Sequence, residues 1–438
     1  MKKFKNLLLP LYVILNLIYI SLGSVLFTLK KIKYINYSKG YIILLILNIL
    51  VLIAMFILKK IKKQKFNFNI TDIFLLLIII FSTISVIFSI NKNVSIFGFK
   101  GRYEGLLTIL YYFSIYFIST YIDKKYKKII IFLILFIGMI NTIYAVFQIL
   151  EIKGVIIRYN WDKPWATGFV SNPNFFGTLT LLCLSYSLGL FIDEKKFSLK
   201  IIYCLLIFIF MIGLLISNGL SSLVGLIIVL TYILIYIIKN KKIKEFIIII
   251  LILLTSTCLI TKANKTTLIK DVIKTKNETI EITKGNLNDK YGTNRVFIWK
   301  NTIKRIPHHI LTGAGIDNFY YAFGERPLRD SRWTYDKAHN EYLQILICEG
   351  IFALTSYLLF FITITIKGIK NNYKTKEIFL ILPIIGYLVQ AFFNISVIEV
   401  APFFYIALGL LVERNDKSNL LLYIKKYWKK IKKTLYFK

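Results

Sequence analysis

Histidine is the side chain whose unperturbed pKa, about 6.5, lets it accept a proton near neutral pH. This sequence of 438 residues has three: His308, His309 and His339. His339 stands in DKAHNEYLQILICEGIFAL (336–354), close to Asp336 and Glu341 and just before a long apolar run. An imidazole there can take a proton from a hydroxyl, with Asp336 or Glu341 setting its tautomer; the plainer alternative is the polar lip of a helix. Arginine supplies the second signal. Lysine dominates the basic residues, yet five of the eight arginines (Arg295, Arg305, Arg326, Arg329 and Arg332) lie within one short stretch. A guanidinium is a planar fork suited to bidentate phosphate contact, whereas an ammonium is a hydrated point charge, so the clustering favours a phosphate-bearing ligand over simple leaflet attraction.

These groups need elements to hold them. TNRVFIWKNTIKRIPHH (293–309) places Val296, Trp299, Ile303 and Ile306 at spacings of three, four and three. That pattern predicts an amphipathic helix on the membrane surface, capped by Thr293 or Asn294 and ended before Pro307. Arg295 then falls in the first turn, where unpaired N–H groups and the helix dipole add to its attraction for an anion; snorkelling towards headgroups fits equally well. His308 and His309 read as interfacial residues. LTGAGIDNFYYAF (311–323) follows, with Gly313 and Gly315 permitting a tight bend, and 324–340 adds three arginines before His339 and Asn340. No clustered His/Cys pattern or Asp-x-Asp pair occurs in this region, although Asp317, Asp330 and Asp336 are scattered through it, so neither a metal nor another cofactor is expected.

The rest of the chain is far too oily for a soluble domain: 57% hydrophobic, mean hydropathy +0.65, and 7 prolines. It reads as an all-α, polytopic membrane protein. Apolar runs near 7–29, 41–58, 72–90, 105–122, 129–150, 175–192, 200–217, 220–238, 246–260, 341–366, 378–393 and 398–412 predict about twelve spans. They divide the chain into helices one to nine (1–260), one large loop with the candidate site (261–340), helices ten to twelve (341–412) and a basic tail (413–438). The N-terminal run lacks a small-x-small cleavage pattern and reads as an uncleaved first helix. Lys and Arg number 32 in the tails and even connections against 10 in the short odd ones, which puts both termini in the cytoplasm and the large loop outside. The formal charge of +35 is mostly this cytoplasmic collar, such as KKIKKQK (59–65) and KKYWKKIKK (425–433), which suits anionic lipid and not nucleic acid. Cys183, Cys204, Cys258 and Cys348 fall in spans and read as small core residues. The polar segment before Thr293 lacks an apolar period and is expected to pack loosely, and Glu349 stands inside the tenth span as a polar contact or part of an acceptor path. Two other connections stand out. FGFKGRYEGLLTILYYF (97–113) sets Arg102 and Glu104 between glycines at a helix entrance. WDKPWATGFVSNPNFFGTL (161–179) offers Trp161, Trp165 and Phe169 to the interface and opens a span with the Asn172-Pro173-Asn174 turn.

NRVFIWKNTIKRIPHHILTGAGIDNF followed by AHNEYLQILICEGIFAL resembles the signature region of the bacterial O-antigen ligase family, related to O-antigen polymerases and O-linked oligosaccharyltransferases. ATGFVSNPNFFGTL and GRYEGLLTILYYF are similar to its upstream parts, so the resemblance spans roughly residues 97 to 412. It implies a protein of the bacterial cytoplasmic membrane with about twelve helices and a large extracytoplasmic loop. The implied activity moves a glycan from an undecaprenyl-diphosphate carrier to a hydroxyl of a glycan, lipid or protein, without nucleotide or obligatory metal. By the same resemblance His339 matches an essential loop histidine and Arg295 a donor-diphosphate arginine. One departure is clear: where members carry a further arginine, this chain has SNGLSSLVGL (217–226), so Arg102 or one of Arg326, Arg329 and Arg332 would supply that charge. Arg305, Asn172, Asn174 and Asn340 complete the candidate substrate contacts. A transporter or flippase of lipid-linked saccharides is the rival; it would show paired repeats or interrupted helices, and the sequence displays neither. A peptidoglycan-polymerising glycosyltransferase is a second rival and would rely on a loop aspartate, for which Asp336 is placed.

Overall fold

The computed structural model describes residues 8–29, 34–63, 68–152, 165–263, 265–324, 335–375 and 377–412. Regular structure among them is helical: α1 (Leu9–Thr28), α2 (Tyr34–Ile61), α3 (Ile70–Ile87), α4 (Lys92–Phe97), α5 (Leu106–Ser119), α6 (Lys124–Leu150), α7 (Pro173–Asp193), α8 (Phe197–Ser217), α9 (Leu220–Asn240), α10 (Ile243–Lys262), α11 (Leu268–Thr283), α12 (Arg295–His309), α13 (Phe319–Phe323), α14 (Glu341–Thr375), α15 (Leu382–Gln390) and α16 (Ala401–Leu411). Long runs of Ile, Leu and Phe become helices because lipid offers the backbone no hydrogen-bond partner outside its own turns. Among the described residues nine of these helices (α1–α3, α6–α10 and α14) are long and apolar enough to cross a membrane, and the chain is an integral membrane protein. The other three expected spans coincide with shorter apolar helices, at Leu106–Ser119, Ile378–Phe393 and Ala401–Leu411.

The bundle closes around α7, in which every residue from Phe175 to Ile192 is buried. A helix apolar on all sides belongs inside a bundle, and α7 packs against α6, α8, α9 and α15. Small residues allow the close approach that lipid-embedded helices depend on: a Cβ on Gly177 would stand 2.8 Å from the hydroxyls of Ser217 and Ser222. By contrast α10 turns Ile247, Leu251 and Leu254 outwards. Cys258 on the same helix is exposed, so only Cys183 and Cys348 fill the core as expected, with Cys204 in between.

Residues 268–283 form the helix α11, of which only Leu268 is buried, in keeping with the loose packing expected of this segment. Two further expectations are corrected. α12 runs through Pro307 to His309, and Asn294 at its start has φ +67 with no side-chain cap. The N–H that proline lacks would have bonded Ile303, whose residue is 58% exposed, so solvent can take its place at small cost. The apolar face of α12 is also rotated from the expected one. Ile298 is buried with Phe319, Phe323 and Ala338, Trp299 and Ile306 pack against that cluster, and Ile303 points away. α12 is therefore a wall of the protein as well as a surface element.

Finally, α14 is interrupted. Gly350 has φ 86 and ψ 176, a conformation that L side chains avoid. The break strands backbone groups that the 310–315 segment collects: Ala314 N–H donates to Ile347 O (3.0 Å), Gly315 N–H to Cys348 O (2.8 Å) and Ile351 N–H to Ile310 O (2.8 Å). The two backbones lie so close that a Cβ on Gly313 would stand 2.2 Å from Cys348 O. The Gly-x-Gly turn thus docks on a broken helix, a feature the sequence did not announce.

Candidate active site

His339 sits in a loop that is fastened on both sides of it. Asp336 accepts a forked pair of bonds from Arg102, Nε at 2.6 Å and Nη2 at 3.3 Å. Lys337 is paired with Asp317, Nζ to Oδ1 at 2.5 Å. The Ala338 carbonyl accepts from Trp299 Nε1 (2.9 Å) and its N–H donates to Gln344 Oε1 (2.8 Å). Asn340 Oδ1 accepts from Leu343 N–H (3.0 Å) and so caps α14. His339, held between these anchors, adopts φ +50. A left-handed histidine is uncommon and is maintained here by its neighbours.

The imidazole is half-buried, and no hydrogen bond from the described residues reaches it. Neither expected tautomer partner does so: Asp336 is engaged by Arg102, and Glu341 Oε2 accepts from Ser396 N–H at 2.7 Å. Burial, then the charges of Arg295, Arg102 and Lys337, push the ring down to about 4 against the opposing pull of Asp336. It is a neutral imidazole at pH 7.

Arg295 opens α12. Its Nη1 donates to Gly292 O (3.0 Å) and Thr293 Oγ1 (2.7 Å), and Nη2 donates to Phe393 O (3.1 Å). Nε is buried without a partner among the described residues, and burial lowers the pKa of the group. The guanidinium is therefore fixed in direction with two of its five donors, Nε–H and one on Nη2, to spare among the described residues. Arg102 lies over the ring of Phe175 in the first turn of α7, 5.9 Å from its centroid. Burial would raise Asp336, but the paired Arg102 outweighs it and holds the carboxyl below its usual range.

Asp317 joins the pieces. Besides Lys337, its Oδ2 accepts from the N–H groups of Phe99 (2.6 Å) and Glu104 (3.2 Å), so one buried carboxylate ties the Arg102 loop to the His339 loop. Lys337 stays charged because Asp317 and Glu104 overcome its burial. Beneath the loop lies a cavity of about 60 Å³ lined by Glu104, Asp317, Lys337, Glu341, Gln344 and Glu349. Burial pushes Glu104 up to about 8, and its Oε1 accepts from Tyr112 (2.7 Å). Glu349 accepts from Ser82 on α3. A further carboxylate, Glu399, accepts from Ser171 Oγ at 2.8 Å and N–H at 3.3 Å.

Of the residues singled out in the sequence, the structure brings His339, Arg295, Arg102 and Asp336 together. Arg305 stands ten residues further along α12, about 15 Å by helical rise, where its Nη1 donates to Asn301 O and the group lies over Phe323. Asn172 caps α7 through Asn174 N–H (2.9 Å), and Asn174 faces Gly219, whose Cβ would lie 3.8 Å from its Oδ1. Arg326, Arg329, Arg332, Asp330 and Trp161 lie outside the described residues. Sequence reasoning missed Lys337, Glu399 and the clamp role of Asp317. Lys337 beside His339 was the available signal; nothing local marks its pairing with a residue twenty positions upstream. Among the described residues no group of three His, Cys, Asp or Glu could hold a metal ion.

No curated protein matches the chain. The family model described as O-Antigen ligase matches residues 204–358, the stretch that holds Arg295, the Gly313-x-Gly315 turn, His339 and the break in α14, and over this region the chain is similar to that family.

Proposed function

We propose that this protein is a membrane glycosyltransferase that moves a glycan from a polyprenyl-diphosphate carrier to an acceptor hydroxyl on the outer side of the bacterial cytoplasmic membrane, as a ligase, polymerase or protein glycosyltransferase. The observation that carries this reading is a half-buried imidazole, without a hydrogen-bond partner among the described residues, fixed in a doubly ion-paired loop beside two guanidinium groups. In the reaction the acceptor oxygen attacks the anomeric carbon, its proton passes to His339, and the bond to the diphosphate breaks. The leaving group gains negative charge as it departs, so Arg295 and Arg102 stabilise the transition state more than the ground state. The same diphosphate offsets two of the three charges that depress His339, those of Arg295 and Arg102, so the ring becomes a better base once the donor is bound. Of the arginines that could supply the charge missing near 217–226, Arg102 is the one the described residues favour, because it reaches from another loop to lie over Phe175 in the first turn of α7.

The interrupted helix α14 bears on the transporter reading, because broken helices are common in transporters. Here its loose backbone groups are taken up by the 310–315 segment, which gives the break a structural use. Purified protein in detergent with a polyprenyl-diphosphate-linked saccharide and a hydroxyl acceptor separates the two: a glycosylated acceptor and free polyprenyl diphosphate by mass spectrometry support transfer, whereas an unchanged donor that crosses the bilayer in proteoliposomes supports a flippase.

A further inference from the structure

α11 has an apolar face that the protein does not cover. Ile269, Val272, Ile273 and Ile280 are 51%, 40%, 54% and 41% exposed. At about 100° per residue they share one arc of about 100°, and Glu278 falls on the opposite side. Glu278 is the residue that faces the protein, accepting from Gly292 N–H at 2.9 Å. The root of the helix is tied to the bundle: Asn218 Oδ1 accepts from Thr267 N–H (2.8 Å) and Thr266 Oγ1 (2.7 Å) at the junction of α8 and α9.

We propose that α11 lies flat in the lipid headgroup layer on the membrane face that bears the candidate site, with Ile269, Val272, Ile273 and Ile280 turned into the acyl boundary. Continuity identifies the occupant. α10 is a candidate span whose outward residues Ile247, Leu251, Leu254 and Leu259 face lipid, and it ends at Lys262, only five residues before α11 begins. Lys270 and Lys284 lie along one edge of the apolar arc, and Lys276 within it can run its stem along the apolar surface and return its ammonium to anionic headgroups. The arrangement also sets a height: Glu278 holds Gly292, whose carbonyl accepts from Arg295. A lipid-riding α11 would thus keep Arg295 level with the headgroups. That last consequence rests on the reading of Arg295 above; the placement of α11 does not.

The test uses the full chain in nanodiscs of phosphatidylethanolamine and phosphatidylglycerol. In a background with Cys183, Cys204, Cys258 and Cys348 replaced by alanine, nitroxide labels at Ile269→Cys and Ile280→Cys should collide more with oxygen than with a water-soluble nickel chelate, and a label at Lys274→Cys should show the reverse. A label at position 280 that samples the chelate as position 274 does, or one shielded from both reagents as a protein-covered site would be, overturns the proposal. Should that background not fold, the native chain with diazirine-bearing phosphatidylglycerol decides the point: lipid adducts within 269–280 support it, and adducts confined to the spans refute it.

Discussion

If Arg295 and Arg102 flank His339 closely enough to serve one diphosphate, their charges must be measurable at the imidazole without any substrate. The ring has been pushed from 6.5 to about 4, which disfavours its charged form by about 3 kcal/mol in the partly exposed site. Burial is the largest cause, Arg295 the next and Arg102 the third, with Asp336 working in the other direction. Arg295→Met should therefore raise the pKa above 4 while leaving it below 6.5, because the burial remains. Asp336→Asn should move it the opposite way, since an anion is lost and Arg102 is released from its pair. The assay is a pH titration of ¹³C-labelled histidine by NMR in detergent micelles, with His308 and His309 replaced by glutamine so that one ring reports. A pKa in Arg295→Met that stays put or falls would refute the electrostatic picture, and so would a rise in Asp336→Asn.

Other consequences are simpler. His339→Ala should cut transfer by about 10²- to 10⁴-fold, the usual worth of a general base, with expression and thermal stability near wild type; normal turnover would remove His339 from the chemistry. Because folding lowers the pKa of His339, the unfolded chain binds more protons between pH 6.5 and 4, and stability must decrease as the pH is lowered through that window. His339→Gln should flatten the fall in melting temperature there, and an unchanged slope would contradict the assignment. Lys337→Met strands Asp317 as a buried charge and should cost about 3–5 kcal/mol, whereas Lys337→Met with Asp317→Asn should recover part of the loss; equal melting of single and double variants would show that the pair does not interact. Gly313→Ala forces a Cβ to 2.2 Å from Cys348 O in a backbone region that itself costs roughly 1–2 kcal/mol, so its melting temperature should drop more than that of Gly285→Ala, where a Cβ meets nothing within 4 Å.

Much of the frame was legible because lipid imposes a simple rule: apolar runs become helices, and nine of the twelve expected spans coincide with helices long and apolar enough to cross a membrane, the other three with shorter apolar helices. As candidates, His339 and Arg295 were conspicuous through the rarity of their residue types in a lysine-rich chain, and the charge of Arg295 acts on the His339 ring in the structure. The missed features depend on what lies opposite in space. Pro307 suggested a helix end, yet a proline in the last turn loses only one bond. Glu341 was placed beside His339 on sequence proximity; as the first residue of α14 it reaches Ser396 instead. Gly350 looked like an ordinary glycine in an apolar run until the 310–315 segment was seen to dock on it. The Asp317 clamp spans three loops, and no periodicity can report it.

The most direct test of the central claim is a cryo-electron microscopy structure with a polyprenyl diphosphate bound. Phosphate density within hydrogen-bond reach of Arg295 and Arg102, with the His339 ring facing it, is the expected result. A diphosphate bound elsewhere in the bundle, with Arg295 still turned only to Gly292, Thr293 and Phe393, would contradict the account.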